Sequence, residues 1–123
     1  MKRTTLFLLL FFITYGISNA QICKISESGD NVEVFTASIE DGNTVVVTVG
    51  NDSQDISANV TVKVEVTYRY SNGNNPVNYT YTGKVVAKPN QESIIKIRIP
   101  EKDKDGRVPE SVKVADISGT KCQ

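Results

Sequence analysis

The chain has 123 residues, 14 of them Lys or Arg and 14 Asp or Glu, with no histidine and no tryptophan. The missing imidazole excludes Ser-His-Asp and Cys-His catalysis, the usual neutral-pH general base and histidine-containing zinc sites. The length suits one domain with one modest core.

Residues 1–20 read as a secretory signal. Lys2 and Arg3 make its positive start, Leu6 to Ile13 its apolar run, and Ser18-Asn19-Ala20 a small-residue cleavage site before Gln21. The apolar run is shorter than the roughly 20 residues that a membrane-crossing helix needs, and no other such run follows, so no membrane span is expected. A lipid-anchored product would carry its cysteine directly after the cleavage point, whereas here Ile22 precedes Cys23. Residues 21–123 are therefore expected to form one exported domain, in the periplasm or outside the cell. Export into an oxidising compartment predicts a Cys23–Cys122 disulfide. A redox-active pair would instead show close Cys-x-x-Cys spacing. Setting Lys2 and Arg3 aside leaves two more acidic than basic residues. The charge is uneven: up to Asp55 the exported part is acidic, with Lys24 its one cation, whereas from Ile56 to Ile99 cations prevail.

After Cys23, Ser28-Gly29-Asp30-Asn31 reads as a turn. Asn31 to Ile39 then extends, with Val32, Val34 and Phe35 as core candidates in an imperfect alternation. Glu40-Asp41-Gly42-Asn43 reads as a hairpin turn, because Asp-Gly accepts the positive φ that such turns demand. Thr44 to Gly50 sets Val45, Val47 and Val49 against Val46 and Thr48, the pattern of a central strand. The clearest element is Asn59 to Tyr70. Val60, Val62, Val64, Val66, Tyr68 and Tyr70 fall on one face, and Thr61, Lys63, Glu65, Thr67 and Arg69 on the other. It is longer than the usual strand of roughly three to ten residues, so an internal bulge or a frayed end at Tyr68 to Tyr70 is expected. Ser71 to Pro76 is dense in breakers. Val77 to Thr82 alternates again, and Gly83 to Lys88 continues after a kink. Ser93 to Ile99 puts Ile95, Ile97 and Ile99 on a dry face with Lys96 and Arg98 outward, until Pro100 stops it. A charged loop, Glu101 to Pro109, leads to Ser111 to Ser118, where Val112 and Val114 alternate with Lys113. About seven strands with no helical period and no repeat predict an all-β chain: a single immunoglobulin-like antiparallel β-sandwich whose termini a disulfide joins.

Between Val45 and Pro100 the chain reads Val-Thr-Val-Gly-Asn-Asp-Ser, then Ala-Asn-Val-Thr-Val-Lys-Val-Glu-Val-Thr-Tyr, then Lys-Pro-Asn-Gln-Glu-Ser-Ile-Ile-Lys-Ile-Arg-Ile-Pro. This order resembles the immunoglobulin-like modules of bacterial secreted proteins of the CARDB and FxLYD types, and implies the fold alone. A looser resemblance, in size, export and terminal cysteines, is to the periplasmic curli-inhibitor family. It implies an accessory, chaperone-like role that keeps amyloid-forming subunits from assembling early, and no motif residues carry over from it.

Catalysis would have to run on carboxylates, as in glycoside hydrolysis, but without tryptophan platforms the chain is not expected to be an enzyme or to need a cofactor. Glu101-x-Asp103-x-Asp105-Gly106 opens like a calcium loop, yet Val112 stands where the bidentate Glu belongs, and Lys102, Lys104 and Arg107 add positive charge. A solvated charged turn is the expectation. Asn51, Asn59 and Asn78 head Asn-x-Ser/Thr sequons whose use depends on the source. Tyr68, Tyr70, Tyr79 and Tyr81 flank the Asn-rich loop, either as sheet-stabilising pairs or as a recognition patch. Lys63, Arg69, Lys96 and Arg98 would make a partner-binding face if their strands shared a sheet; the alternative is that charges complement one another across strands. The leading functional expectation is an exported, non-enzymatic module that binds another protein, an acidic or amyloid-forming subunit, with no nucleic acid as partner. The alternative is a self-associating structural subunit of a surface matrix or adhesin, since exposed strand edges serve either end.

Overall fold

A computed structural model describes residues 22–119 and residue 122. The signal assigned to residues 1–20 and the cleavage point before Gln21 lie outside the described residues. The strands are β1 (Ile22–Lys24), β2 (Asn31–Glu40), β3 (Thr44–Asn51), β4 (Ala58–Arg69), β5 (Val77–Ala87), β6 (Gln91–Arg98) and β7 (Val108–Gly119). They form a four-stranded sheet in the order β1-β2-β3-β6 and a three-stranded sheet in the order β5-β4-β7, every pair antiparallel. This is the all-β, antiparallel sandwich of seven strands that the turn spacing predicts. β2–β3 and β4–β5 are hairpins, and the chain crosses between sheets after β3, β5 and β6. Asp41 and Gly42 both take positive φ in the first hairpin, as its Asp-Gly signature requires.

β4 is the spine. It pairs with β5 on one side and β7 on the other, and Ala58, Val60, Val62, Val64, Val66 and Tyr68 are at most 1% exposed. Each valine sealed there stabilises by roughly 1.5–3 kcal/mol relative to exposure. The irregularity expected within this strand falls elsewhere: β4 runs unbroken, and its partner β7 carries the extra residues, Ala115 opposite the Lys63–Val64 step and Glu110 opposite the Thr67–Tyr68 step. Taking the bulges on the edge strand keeps the parity of the central strand intact. Tyr70 lies just beyond β4 and outside its dry face. From the other sheet Val32, Val34, Val45, Val47, Val49, Ile95 and Ile97 complete the core.

Cys23 in β1 and Cys122 are joined by a disulfide spanning 99 residues of sequence, and Ile25 bridges to Cys122 beside it. Constraining so long a loop in the unfolded chain is worth up to ~4.7 kcal/mol in entropy terms. The crossing from β3 to β4 is held by a buried polar knot. Asn51 Nδ2 donates to the carbonyls of Ile56 and Ala87 at 2.8 and 2.9 Å, and its Oδ1 accepts from the Ser53 amide. Among the described residues no helix is long and apolar enough to cross a membrane.

The facing of β4 predicts opposite outcomes for neighbouring substitutions. Val64→Asp buries an unpaired charge and costs more than about 4 kcal/mol. Glu65→Ala removes only the solvent-facing pair with Lys113 at 3.3 Å and stays within about 1 kcal/mol. Thermal or denaturant melts of the two variants check this, and equal midpoints would contradict the assignment.

Candidate functional site

β2 breaks its alternation once. Val32 and Val34 face the core, and so do Ala37 and Ile39, two pairs of opposite parity. The register explains the change: Val34 is opposite Val49 and Thr36 is opposite Thr48, so Phe35 is an extra residue with no partner in β3. The expectation of Phe35 as core is thereby corrected. Its side chain points outward and is 50% exposed. The ring lies across Gly50, where an added Cβ would come within 2.4 Å of it. Only a bare backbone at position 50 lets the aromatic lie flat on the sheet.

Two further apolar side chains share the outer face with that ring, among threonines and charged residues. Ile94 is 58% exposed and stands opposite Thr48, diagonal to Gly50, and half-buried Val46 continues the row. Ile94 was legible in the sequence, because Ile95 and Ile97 inward oblige Ile94 to face out; Phe35 was legible only as an imperfection. The rim is charged: Glu33 on β2, and Glu92, Lys96 and Arg98 on β6. Burial raises the Glu33 carboxyl pKa, and the negative charge of Asp52 adds to the rise. Asp52 itself accepts a 2.7 Å bond from the Asn31 amide.

The four cations do not form the face proposed for them. Lys63 and Arg69 lie on β4 in one sheet, while Lys96 and Arg98 lie on β6 in the other. Strand order is a non-local property, and the alternation that turns each side chain outward says nothing about which sheet carries it. On the three-stranded sheet, charges complement one another across strands. Arg69 pairs with Glu110 and donates to the Gly73 carbonyl, Lys113 pairs with Glu65, and Lys63 is opposite Asp116. Lys96 and Arg98 remain as part of the rim around Ile94.

The tyrosines mostly do structural work at the end of the sandwich where the β4–β5 and β6–β7 loops meet. Tyr68 is buried, donates to the Pro100 carbonyl at 2.7 Å, and meets Tyr79 edge to face at 5.2 Å between ring centroids. Burial, with Tyr81 hydrogen-bonded and close by, holds the Tyr68 hydroxyl far above its ordinary pKa. Tyr79 donates to Asp103, and the Arg107 guanidinium sits 4.7 Å over the Tyr70 ring. Asp103 organises the charged loop. Its Oδ1 accepts from the backbone amides of Asp105 and Arg107, and its Oδ2 from the Tyr79 hydroxyl and Arg107 Nη1. The calcium-like spacing thus serves a latch rather than the solvated turn expected, for the Asp103 side chain is only 4% exposed. A shallow groove of about 310 Å³ lies in front of it, lined by Tyr79, Tyr81, Pro100, Lys102, Asp103 and Lys104. Among the described residues no group of three or more Cys, Asp or Glu side chains is placed to hold a metal ion. Of the sequons, Asn51 is buried with its amide committed to two carbonyls, whereas Asn59 and Asn78 are exposed on β4 and β5.

Compared with known proteins, the chain matches no family model, no curated protein and no solved structure.

Burial alone would raise the Asp103 carboxyl pKa, but the bonds from Arg107, Asp105 and Tyr79 outweigh it and hold the group below its ordinary value of 3.8. A depressed pKa contributes stability that is full above the unfolded value and is lost as pH falls through the folded one. Asp103→Asn is therefore expected to melt below wild type at neutral pH, and the gap to narrow as pH falls below about 4. Glu33, with its raised pKa, works in the opposite direction but is common to both proteins, so the difference in melting temperature isolates Asp103. A gap that does not change with pH would show that the carboxylate charge is not what the latch uses.

Proposed function

We propose that this chain is an exported, non-enzymatic module that binds another protein through the outer face of its four-stranded sheet, with Phe35 and Ile94 as apolar anchors and Lys96, Arg98 and Glu33 as the rim. The carrying observation is that Phe35 is supernumerary. Without it, β2 would read Val34-Thr36-Ala37-Ser38-Ile39 in unbroken in-out alternation with the same partners in β3. The residue adds nothing to the core and interrupts a ladder, yet it hangs a half-exposed aromatic on the surface, on a glycine that lets it lie there. Bulges of this kind re-aim a side chain, and aromatic anchors ringed by polar groups are the usual seat of binding energy between proteins. The terminal disulfide and the secretory signal read from residues 1–20 support an oxidising, exported setting. The hydrogen-bonded carboxylate of Asp103 supports a structural role for the acidic loop over a chemical one.

Site-specific photocross-linking in the producing cell tests this reading. A benzophenone side chain at position 35 or at position 94 is expected to give the same discrete protein adduct, and one at Thr61 on the opposite sheet is expected to give none. Phe35→Ala should weaken capture from position 94 by about thirtyfold, the loss of roughly 2 kcal/mol typical of a central aromatic anchor, while leaving the melting temperature within a few degrees of wild type. Adducts that are missing at both positions, or shared with Thr61, would contradict it.

A further inference from the structure

The outer strands of an open sandwich present unpaired N–H and C=O groups, which sheets blunt with short strands, proline, bulges or charge. Among the described residues, three of the four edges are blunted in this way. β1 is three residues long, and the rest of β2 beside it carries the Phe35 bulge. β6 has Glu92, Lys96 and Arg98 within its eight residues. β7 has Pro109 near its start and bulged residues at Glu110 and Ala115. β5 has the fewest of these devices, a single lysine. Its eleven residues contain no proline, its register with β4 is unbroken from Val77 to Ala87, and Lys84 is its one charged residue. No backbone-to-backbone hydrogen bond outside the strand ladders reaches it among the described residues. Its coverage is incomplete on both faces: Tyr79, Tyr81 and Val85 are only half-buried inward, and Val86 is 48% exposed outward.

We infer that β5 is where two copies of this chain pair antiparallel, joining their three-stranded sheets across a two-fold axis. The occupant follows from the sequence of the edge, which can pair with itself about Thr82 with no like charges opposed. Aligned antiparallel on that residue, all positions from Val77 to Ala87 overlap. Tyr79 meets Val85 of the second copy, an aromatic and β-branched pair of the kind that stabilises sheets. Lys84 meets neutral Thr80, so no like charges face each other, and the nearly balanced charge of the chain adds little general repulsion. Pro76 and Pro89 lie just outside the paired window. Because both copies use the same edge, the contact consumes it and assembly stops at two instead of growing into a fibre. The Phe35 face lies on the other sheet and stays open in the pair.

Sedimentation equilibrium of the disulfide-bonded exported protein tests the inference with a charge swap. Within one copy, position 80 is opposite Glu65 and position 84 is opposite Thr61, so Thr80→Lys and Lys84→Glu are both compatible with folding, which thermal melts verify. Across the seam, the lysine introduced at position 80 confronts Lys84 of the second copy, twice per pair. Wild type is expected to show a monomer–dimer equilibrium, Thr80→Lys to raise its dissociation constant about tenfold or more, and Thr80→Lys with Lys84→Glu to recover it. A wild-type monomer at every concentration would overturn the inference and leave an extended segment of another protein as the occupant of the edge. A dissociation constant unmoved by Thr80→Lys, or not recovered by the second change, would place any self-association elsewhere.

Discussion

The structure depends on the sealing of one face of β4. With strands on both sides and the opposite sheet against its valines, β4 cannot slip by one residue without exposing every one of them. Each neighbouring strand must therefore meet a fixed pattern of inward positions, and any surplus residue in a neighbour has to be looped out. Glu110 and Ala115 are looped out of β7, and their effect is to break up a strand edge. In the other sheet the same period-2 requirement loops Phe35 out of β2, and the result is an aromatic on the surface.

That difference decides where the functional reading rests. The loop end of the sandwich is richer in polar chemistry, but its groups answer to one another: Asp103 to Arg107 and Tyr79, Arg107 to Tyr70 and to the Asn75 carbonyl, Tyr68 to Pro100. Such mutual satisfaction is what stabilises a loop cluster in a small domain. The Phe35 and Ile94 face has the reverse character, with apolar area turned to water and an irregularity that the core does not need. The binding role proposed for this face rests on that contrast.

Much of the fold was legible because it is local. Alternation fixed the inward residues of β4 and β6, Asp41-Gly42 fixed a hairpin, and two cysteines near the two ends of the domain, read as exported, pointed to the staple. The division of strands between sheets was not legible, since it depends on which long connections cross the core, and the cationic face built on Lys63, Arg69, Lys96 and Arg98 failed for that reason. The Asn51–Ser53 knot was also hidden: its sequence reads as a polar breaker or a sequon, and only the carbonyls of Ile56 and Ala87 reveal why a buried amide is needed there. Phe35 was misread because a large aromatic beside Val34 looks like core until the parity of Ala37 and Ile39 is weighed against it.

The most direct test of the account removes one residue. Deleting Phe35 restores unbroken alternation in β2 and leaves every other strand pair as it is. If the aromatic is there for recognition and not for folding, the deletion variant will unfold cooperatively at or above the wild-type melting temperature, as followed by circular dichroism. A variant that fails to fold, or melts far below wild type, would show that the bulge and its ring on Gly50 are part of what holds the sandwich together.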